Sequence, residues 1–262
     1  EAWTYLGLSL IIVTIRFGAQ WRWMGLGGLA PNDYLMVLAG VTLTTPPLLR
    51  ALDQAYWQGL TNNAMTDEQR ATLDPHSDEY YRRVHGSHTQ LFDWLVYTVL
   101  LWCLKLCWLL IFKRLGDGVD DMTMKINIGF AIVGVTFLGT FFTMLCSCWP
   151  IYRKWQIYLD PGTACIQTWT LIWKNLSTDP YIMSIPLPIV WNANIPRAKK
   201  IALVIIFCGV LITAVFGGLL CSYILQGGVK GPQQAGEWSS RESFVAMVVT
   251  NLPVLTPLIQ RG

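Results

Sequence analysis

The sequence predicts an all-α membrane protein, a bundle of seven transmembrane helices, and three observations carry that prediction. Of 262 residues, 53% are hydrophobic and 13% charged, where soluble domains carry about 25% charge, and the mean hydropathy is +0.41. The apolar residues gather in seven segments, about 2–18, 33–52, 91–113, 126–148, 165–191, 200–225 and 241–259. Each after the first suits one tilted helix crossing about 30 Å of hydrocarbon. Trp94, Trp149, Trp155 and Trp169 fall near one set of segment ends, and Trp21, Trp23 and Trp191 near the other, as interfacial belts do. Residues 1–262 read as a single domain, and a net charge of +3 gives no basis for nucleic-acid binding.

Only 14 mostly apolar residues precede Arg16, about 21 Å of helix. The first span is therefore either cut short or continues through Arg16 and Phe17. No charged leader or small-residue cleavage site marks a signal peptide. The second segment opens with Pro31, Asn32 and Asp33, a good helix start, and its Pro46-Pro47 pair predicts a kink at the far end. Residues 53–90 form a long loop with two short amphipathic pieces, MTDEQRATL and SDEYYRRV, separated by Asp74-Pro75. Pro180, Pro186 and Pro188 interrupt the fifth segment, so its second half is not regular helix throughout.

Orientation follows from lysine and arginine. With the amino terminus outside, the inner loops hold Arg16, Arg22, Lys113, Arg114, Lys125, Arg197, Lys199 and Lys200. The short outer loops hold Arg153, Lys154, Lys230 and Arg241. Eight against four favours an outside amino terminus. Cys148 and Cys165 then both face outward, and a bridge between them is expected, with Cys146 as competitor. Such a bridge contributes roughly 3 kcal/mol on the chain-entropy view.

Four groups of residues are candidates for chemistry. Lys105 stands in the middle of the third segment, where an unpaired ammonium costs about 2.5–3.5 kcal/mol on insertion scales, and Asp179 in the fifth lies at similar depth. The pair is read either as part of a ligand cavity or switch, or as a structural bridge between helices. Asn251 precedes Leu252-Pro253, where its amide can bond a carbonyl freed by the proline and form a polar hinge. Glu242 starts the last helix beside Arg241. His85 and His88, near Asp78, Glu79 and Asp93, form an HxxH too weak to predict a metal. Asp179, Glu242, His85 and His88 are thus the acid–base candidates, no single catalytic residue is assigned, and no metal is expected. The last segment has no lysine for a retinal Schiff base, soluble-enzyme motifs are missing, and no cofactor is expected.

The order of landmarks resembles the fungal rhodopsin-domain family. It rests on Asn32-Asp33-Tyr34, on Leu101-Trp102-Cys103-Leu104-Lys105, and on Cys148-Trp-Pro-Ile with Trp155, Pro161-Gly162 and Cys165. It continues through Thr178-Asp179 before Ile185-Pro-Leu-Pro, Lys199-Lys200, and Gly236-Glu-Trp-Ser-Ser-Arg-Glu-Ser-Phe leading to Thr250-Asn-Leu-Pro. The resemblance spans nearly the whole chain. It implies a receptor-like bundle of GPCR/rhodopsin-like topology with its amino terminus outside, in a family that also has members linked to secondary-metabolite pathways.

The expected protein is therefore multi-pass, in the plasma membrane or an endomembrane, with the lipid bilayer as a partner. Its first functional reading is a receptor-like binder of a small apolar ligand, with Lys105, Asp179, Asn251 and Trp102 at the cavity or switch and a cytoplasmic signalling partner. The second is an intramembrane, non-oxidative cyclase or isomerase acting on a lipophilic metabolite. Fold does not choose between them.

Overall fold

The structure, a computed structural model, describes residues 2–25, 30–62, 65–115, 122–160, 162, 178–182, 184–185, 197–226 and 231–259. Its helices are α1 (Ala2–Met24), α2 (Pro31–Leu52), a short α3 (Asp67–Thr72), α4 (Asp78–Leu115), α5 (Met122–Cys146), α6 (Arg197–Gln226) and α7 (Gly231–Ile259), with a further helical stretch at 178–182. Among the described residues, four segments are long and apolar enough to cross a membrane: Ala2–Arg22, Pro31–Trp57, Asp78–Arg114 and Met122–Cys146. Most of the fifth predicted segment, with Cys165 and the Pro186 and Pro188 breaks, lies outside the described residues.

Several boundaries differ from expectation. α1 does not stop at 18 but runs through Arg16 to Met24, because Arg16 is buried in the bundle and so is not a loop charge. Residues 53–90 hold a short helix in the MTDEQRATL piece, α3, and a break at Asp74-Pro75, as expected, but both ends of the stretch are helical extensions rather than loop. A π turn over Asp53–Trp57 continues α2 without a break at Pro46-Pro47, and the piece starting at Asp78 is the first part of α4. Ser77 Oγ accepts the Tyr80 amide at 3.2 Å to cap that start, and Arg83 pairs with Glu79 one turn back at 2.7 Å. At 38 residues α4 is about 57 Å long, well beyond the hydrocarbon thickness. α7 likewise begins at Gly231 rather than 241.

α4 is the central helix. In its apolar window 72% is buried, against 17%, 33% and 22% in the other three candidate spans. Leu100, Cys103, Leu104 and Cys107 form an i, i+3, i+4, i+7 stripe that packs with Leu6, Val13, Met36, Leu43 and Met247 from α1, α2 and α7. Its opposite side, with Leu101, Trp102, Trp108, Leu109 and Phe112, packs with Ile126 and Val133 of α5, Ile182 and Ile185, and Val210 of α6. A helix apolar all round needs cover on every side. The surrounding helices instead turn large side chains outward: Leu8 and Ile11, Val37 and Val41, Val135 and Phe142, Leu211 and Val215 are exposed. Such belts suit lipid rather than water.

Beyond the spans, a cap covers the projecting half of α4. Asn62 Nδ2 donates to the carbonyls of Lys154 (2.8 Å) and Gln156 (3.2 Å), and the Asn62 amide donates to Ser87 Oγ at 2.9 Å. Buried Arg70 donates to the carbonyls of Ile157 and Asn62. Lys154 donates to Ser147 Oγ at 2.8 Å, and burial lowers its pKa from the ordinary lysine value. Gly86 lets the 58–62 turn lie on α4: a Cβ there would stand 2.0 Å from the Leu60 carbonyl oxygen. Gly86→Ala must therefore push the cap off the helix and is expected to cost about 1–3 kcal/mol. Gly134→Ala, with nothing within 4 Å of its Cβ, is the control and should gain slightly on helix propensity. Thermal unfolding in nanodiscs compares the two, and equal midpoints would show that the close approach does not matter.

Candidate functional site

Among the described residues, the polar residues that the sequence singles out fall into separate clusters. Lys105 Nζ lies 2.8 Å from Asp179 Oδ1, with both side chains buried. It donates a hydrogen bond to Thr178 Oγ1 and sits over the Trp102 ring, 5.1 Å from its centroid. Trp102 is held in turn by Nε1 donating to the Val133 carbonyl at 3.0 Å. Asp179 Oδ1 receives no hydrogen bond among the described residues, so the contact with Lys105 is an ion pair of Coulombic kind only, and α4 is tied to 178–179 through two different contacts of one ammonium.

A second buried cluster was not legible as such. Arg16 donates from Nε (3.1 Å) and Nη2 (2.9 Å) to Asp33 Oδ1, and from Nη1 to Asn251 Oδ1 at 3.3 Å. Asp33 Oδ2 accepts the Ala30 amide at 3.1 Å, closing the start of α2. Asn251 Nδ2 donates to the Met247 carbonyl at 2.7 Å. These bonds direct the Asn251 amide to the Met247 carbonyl and to Arg16. α7 continues through Pro253, and the residue links α7 to α1 and α2.

The four acid–base candidates are scattered. His85 stacks on Trp57 (5.0 Å between centroids) and touches Tyr81 (4.2 Å), while His88 packs edge-on against Trp155 (4.2 Å). Both histidines are thus rungs of an aromatic ladder in the cap, and no group of three His, Cys, Asp or Glu side chains converges among the described residues. Asp179 is in the Lys105 pair. Glu242 accepts a hydrogen bond from Tyr97, which lines a cleft that Glu242 itself does not line.

That cleft lies between the first turns of α1, the last turns of α2 and the first half of α7, with Tyr97 of α4 on its floor. Apolar walls come from Tyr5, Leu6, Leu43, Pro46, Pro47 and Phe244; Ser9, Arg50, Ser239, Ser240 and Ser243 supply polar groups. Lys105, Asp179, Asn251 and Trp102, expected at a ligand cavity, do not line it. Arg50 bridges α2 to α7 by donating to Ser240 Oγ (2.7 Å) and Ser239 Oγ (3.1 Å), and its Nη2 stands 3.8 Å from Asp93 Oδ2. Behind the serines, Tyr97 Oη donates to Glu242 Oε2 at 2.5 Å, and Gly217 of α6 lies against that carboxylate, its Cβ position 3.5 Å from Glu242 Oε1.

Ser9 stands apart. It is fully buried, and its Oγ has no partner among the described residues, a state that costs about 1–3 kcal/mol for a polar group in an apolar setting. No sequence signal marks Ser9 or Arg50, because the cleft is assembled from residues as far apart as Ala2 and Phe244. A serine in an apolar run looks like any other until its neighbours are known.

Among the cysteines, Cys103, Cys107, Cys146 and Cys208 are free, which removes Cys146 as a competitor. Cys148 is disulfide-bonded, and Cys165 lies outside the described residues.

Comparison with protein families decides the wider kinship: a model of the fungal rhodopsin domain matches residues 15–261. The chain belongs to that family. As a fungal rhodopsin-domain protein it is an integral membrane, helical protein in contact with the bilayer, and the apolar outer faces of α1, α2, α5 and α6 are its lipid surface. No curated protein and no solved structure matches it.

Proposed function

We propose that this fungal rhodopsin-domain protein is a receptor-like, seven-span protein of GPCR/rhodopsin-like topology that binds a small, mostly apolar ligand in the α1–α2–α7 cleft, without retinal. In this reading the amino terminus and the cleft face outward, Cys148 pairs with Cys165, and Lys113 and Arg114, exposed at the far end of α4, face a cytoplasmic signalling partner.

The observation that carries the reading is the double engagement of α7. Its first half holds Ser239, Ser240 and Ser243 at the cleft. About 18 Å further along, Thr250 accepts Trp108 Nε1 at 2.5 Å and Asn251 accepts Arg16. A ligand that displaces the first half of α7 thereby acts on a buried polar network at its other half, and helices held by a few polar contacts have discrete alternative arrangements.

A second reading has its own support. The Tyr97–Glu242 hydrogen bond beside Arg50 is an acid–base couple next to a cationic group, so an intramembrane cyclase or isomerase would use Glu242 to accept a proton and Tyr97 to donate one. Such a role fits the link of the family to secondary metabolism.

One experiment separates them. Protein in nanodiscs is incubated with a lipophilic extract of the source cells, and bound compounds are recovered for mass spectrometry. A receptor returns its ligand unchanged, and Leu43→Trp, which fills the cleft, abolishes recovery. Appearance of an isomer of equal mass that Glu242→Gln suppresses would overturn the receptor reading in favour of the enzyme.

A further inference from the structure

Building on the cleft reading, we propose that the ligand presents a single uncharged oxygen, an alcohol or a ketone, and that Ser9 is the group reserved for it. Hydroxyls elsewhere in these helices bond back to the preceding turn: Thr14 to Leu10, Thr42 to Leu38, Ser243 to Ser239 and Thr250 to Ala246. Ser9 and Thr140, both fully buried, have no such bond, and of the two only Ser9 borders the cleft. A hydroxyl that neither turns back nor reaches solvent is placed to meet something entering the cleft.

Size and charge narrow what enters. The enclosed space is about 20 Å³, room for one water-sized group, so only the oxygen enters it beside Ser9, and the apolar body has to stay outside that space, in the open mouth of the cleft. A carboxylate brings two oxygens and a charge. Arg50 offers it little, being already bonded to Ser239 and Ser240 and opposed by Asp93, while Glu242, bonded to the cleft residue Tyr97, adds negative charge behind it. An ammonium would satisfy those carboxylates but would face Arg50 at the mouth. Ser9, able to donate to a ketone and to donate to or accept from an alcohol, serves a neutral oxygen in either form.

The test uses the full chain in nanodiscs with octanol, octanone, octanoate, octylammonium and octane as probes, empty nanodiscs correcting for partition. Saturable binding is read from the thermal unfolding midpoint. Octanol and octanone should bind at least tenfold more tightly than the other three. Ser9→Ala should remove that preference without lowering the midpoint of the unliganded protein, because it deletes an unpartnered hydroxyl. If octanol binds and Leu43→Trp blocks it, but Ser9→Ala leaves it unchanged or octanoate binds as well, the inference falls and the cleft reading stands. If no probe binds saturably, the cleft holds water only, and both fall.

Discussion

Replacing Arg16 with methionine is expected to lower unfolding stability by about 3–5 kcal/mol, the cost of leaving a buried charge without its partner. Asp33 would be that charge. Its Oδ1 accepts both Nε and Nη2 of Arg16, and the two side chains are only 1% and 3% exposed, so water cannot replace the guanidinium. The Ala30 amide on Oδ2 is one hydrogen bond and cannot balance a full charge. Asp33→Leu should cost as much and also lose the bond at the α2 start, for which about 0.5–2 kcal/mol is typical. Asp33→Asn, which keeps an acceptor, should fall between Asp33→Leu and wild type. The double variant Arg16→Met/Asp33→Leu leaves no buried charge and should recover most of the loss. Unfolding in mixed micelles measures all four proteins, and additive single effects would show that the two side chains are energetically independent.

Why that pair escaped the sequence while the other did not is a matter of context. Lys105 interrupts a long apolar run, so its cost is visible and a partner at similar depth, Asp179, can be sought. Arg16 comes at the end of a run barely long enough to span, where an arginine reads as an ordinary inner-loop charge. Asp33 sits in Pro31-Asn32-Asp33, where an acidic residue is fully explained by helix initiation. Each had a sufficient local explanation, and only the packing of α1 against α2 and α7 joins them. The same holds for helix limits. The apolar core of α4 was legible because burial on all sides demands a continuous apolar run, whereas residues 78–90 are polar and are held helical by the Ser77 cap, the Arg83–Glu79 pair and the contacts of Asn62 and Arg70, none of which hydropathy records. The cleft was the least legible, since its polar groups come one by one from four helices.

Lys105→Ala and Asp179→Ala should each lower folded yield and cost about 3–5 kcal/mol, with the charge-swapped double Lys105→Asp/Asp179→Lys recovering only part. The recovery is partial for a structural reason. The ammonium at position 105 also donates to Thr178 and lies over Trp102, and moving it to 179 restores the ion pair but neither of those contacts. No recovery at all in the swapped double would refute the pairing as an energetic unit. An apolar replacement, Lys105→Met/Asp179→Leu, then distinguishes a clamp from a switch. A buried ion pair exchanged for packed apolar side chains is commonly neutral or stabilising by about 1–4 kcal/mol, so a clamp loses nothing that matters and ligand binding at the α1–α2–α7 cleft stays as it was. A switch requires two arrangements of nearly equal energy. Removing the pair would then lock one of them, shifting cleft affinity while the unfolding midpoint is held or raised. Measured together in nanodiscs, those two quantities assign Lys105, because only the switch moves affinity without loss of stability.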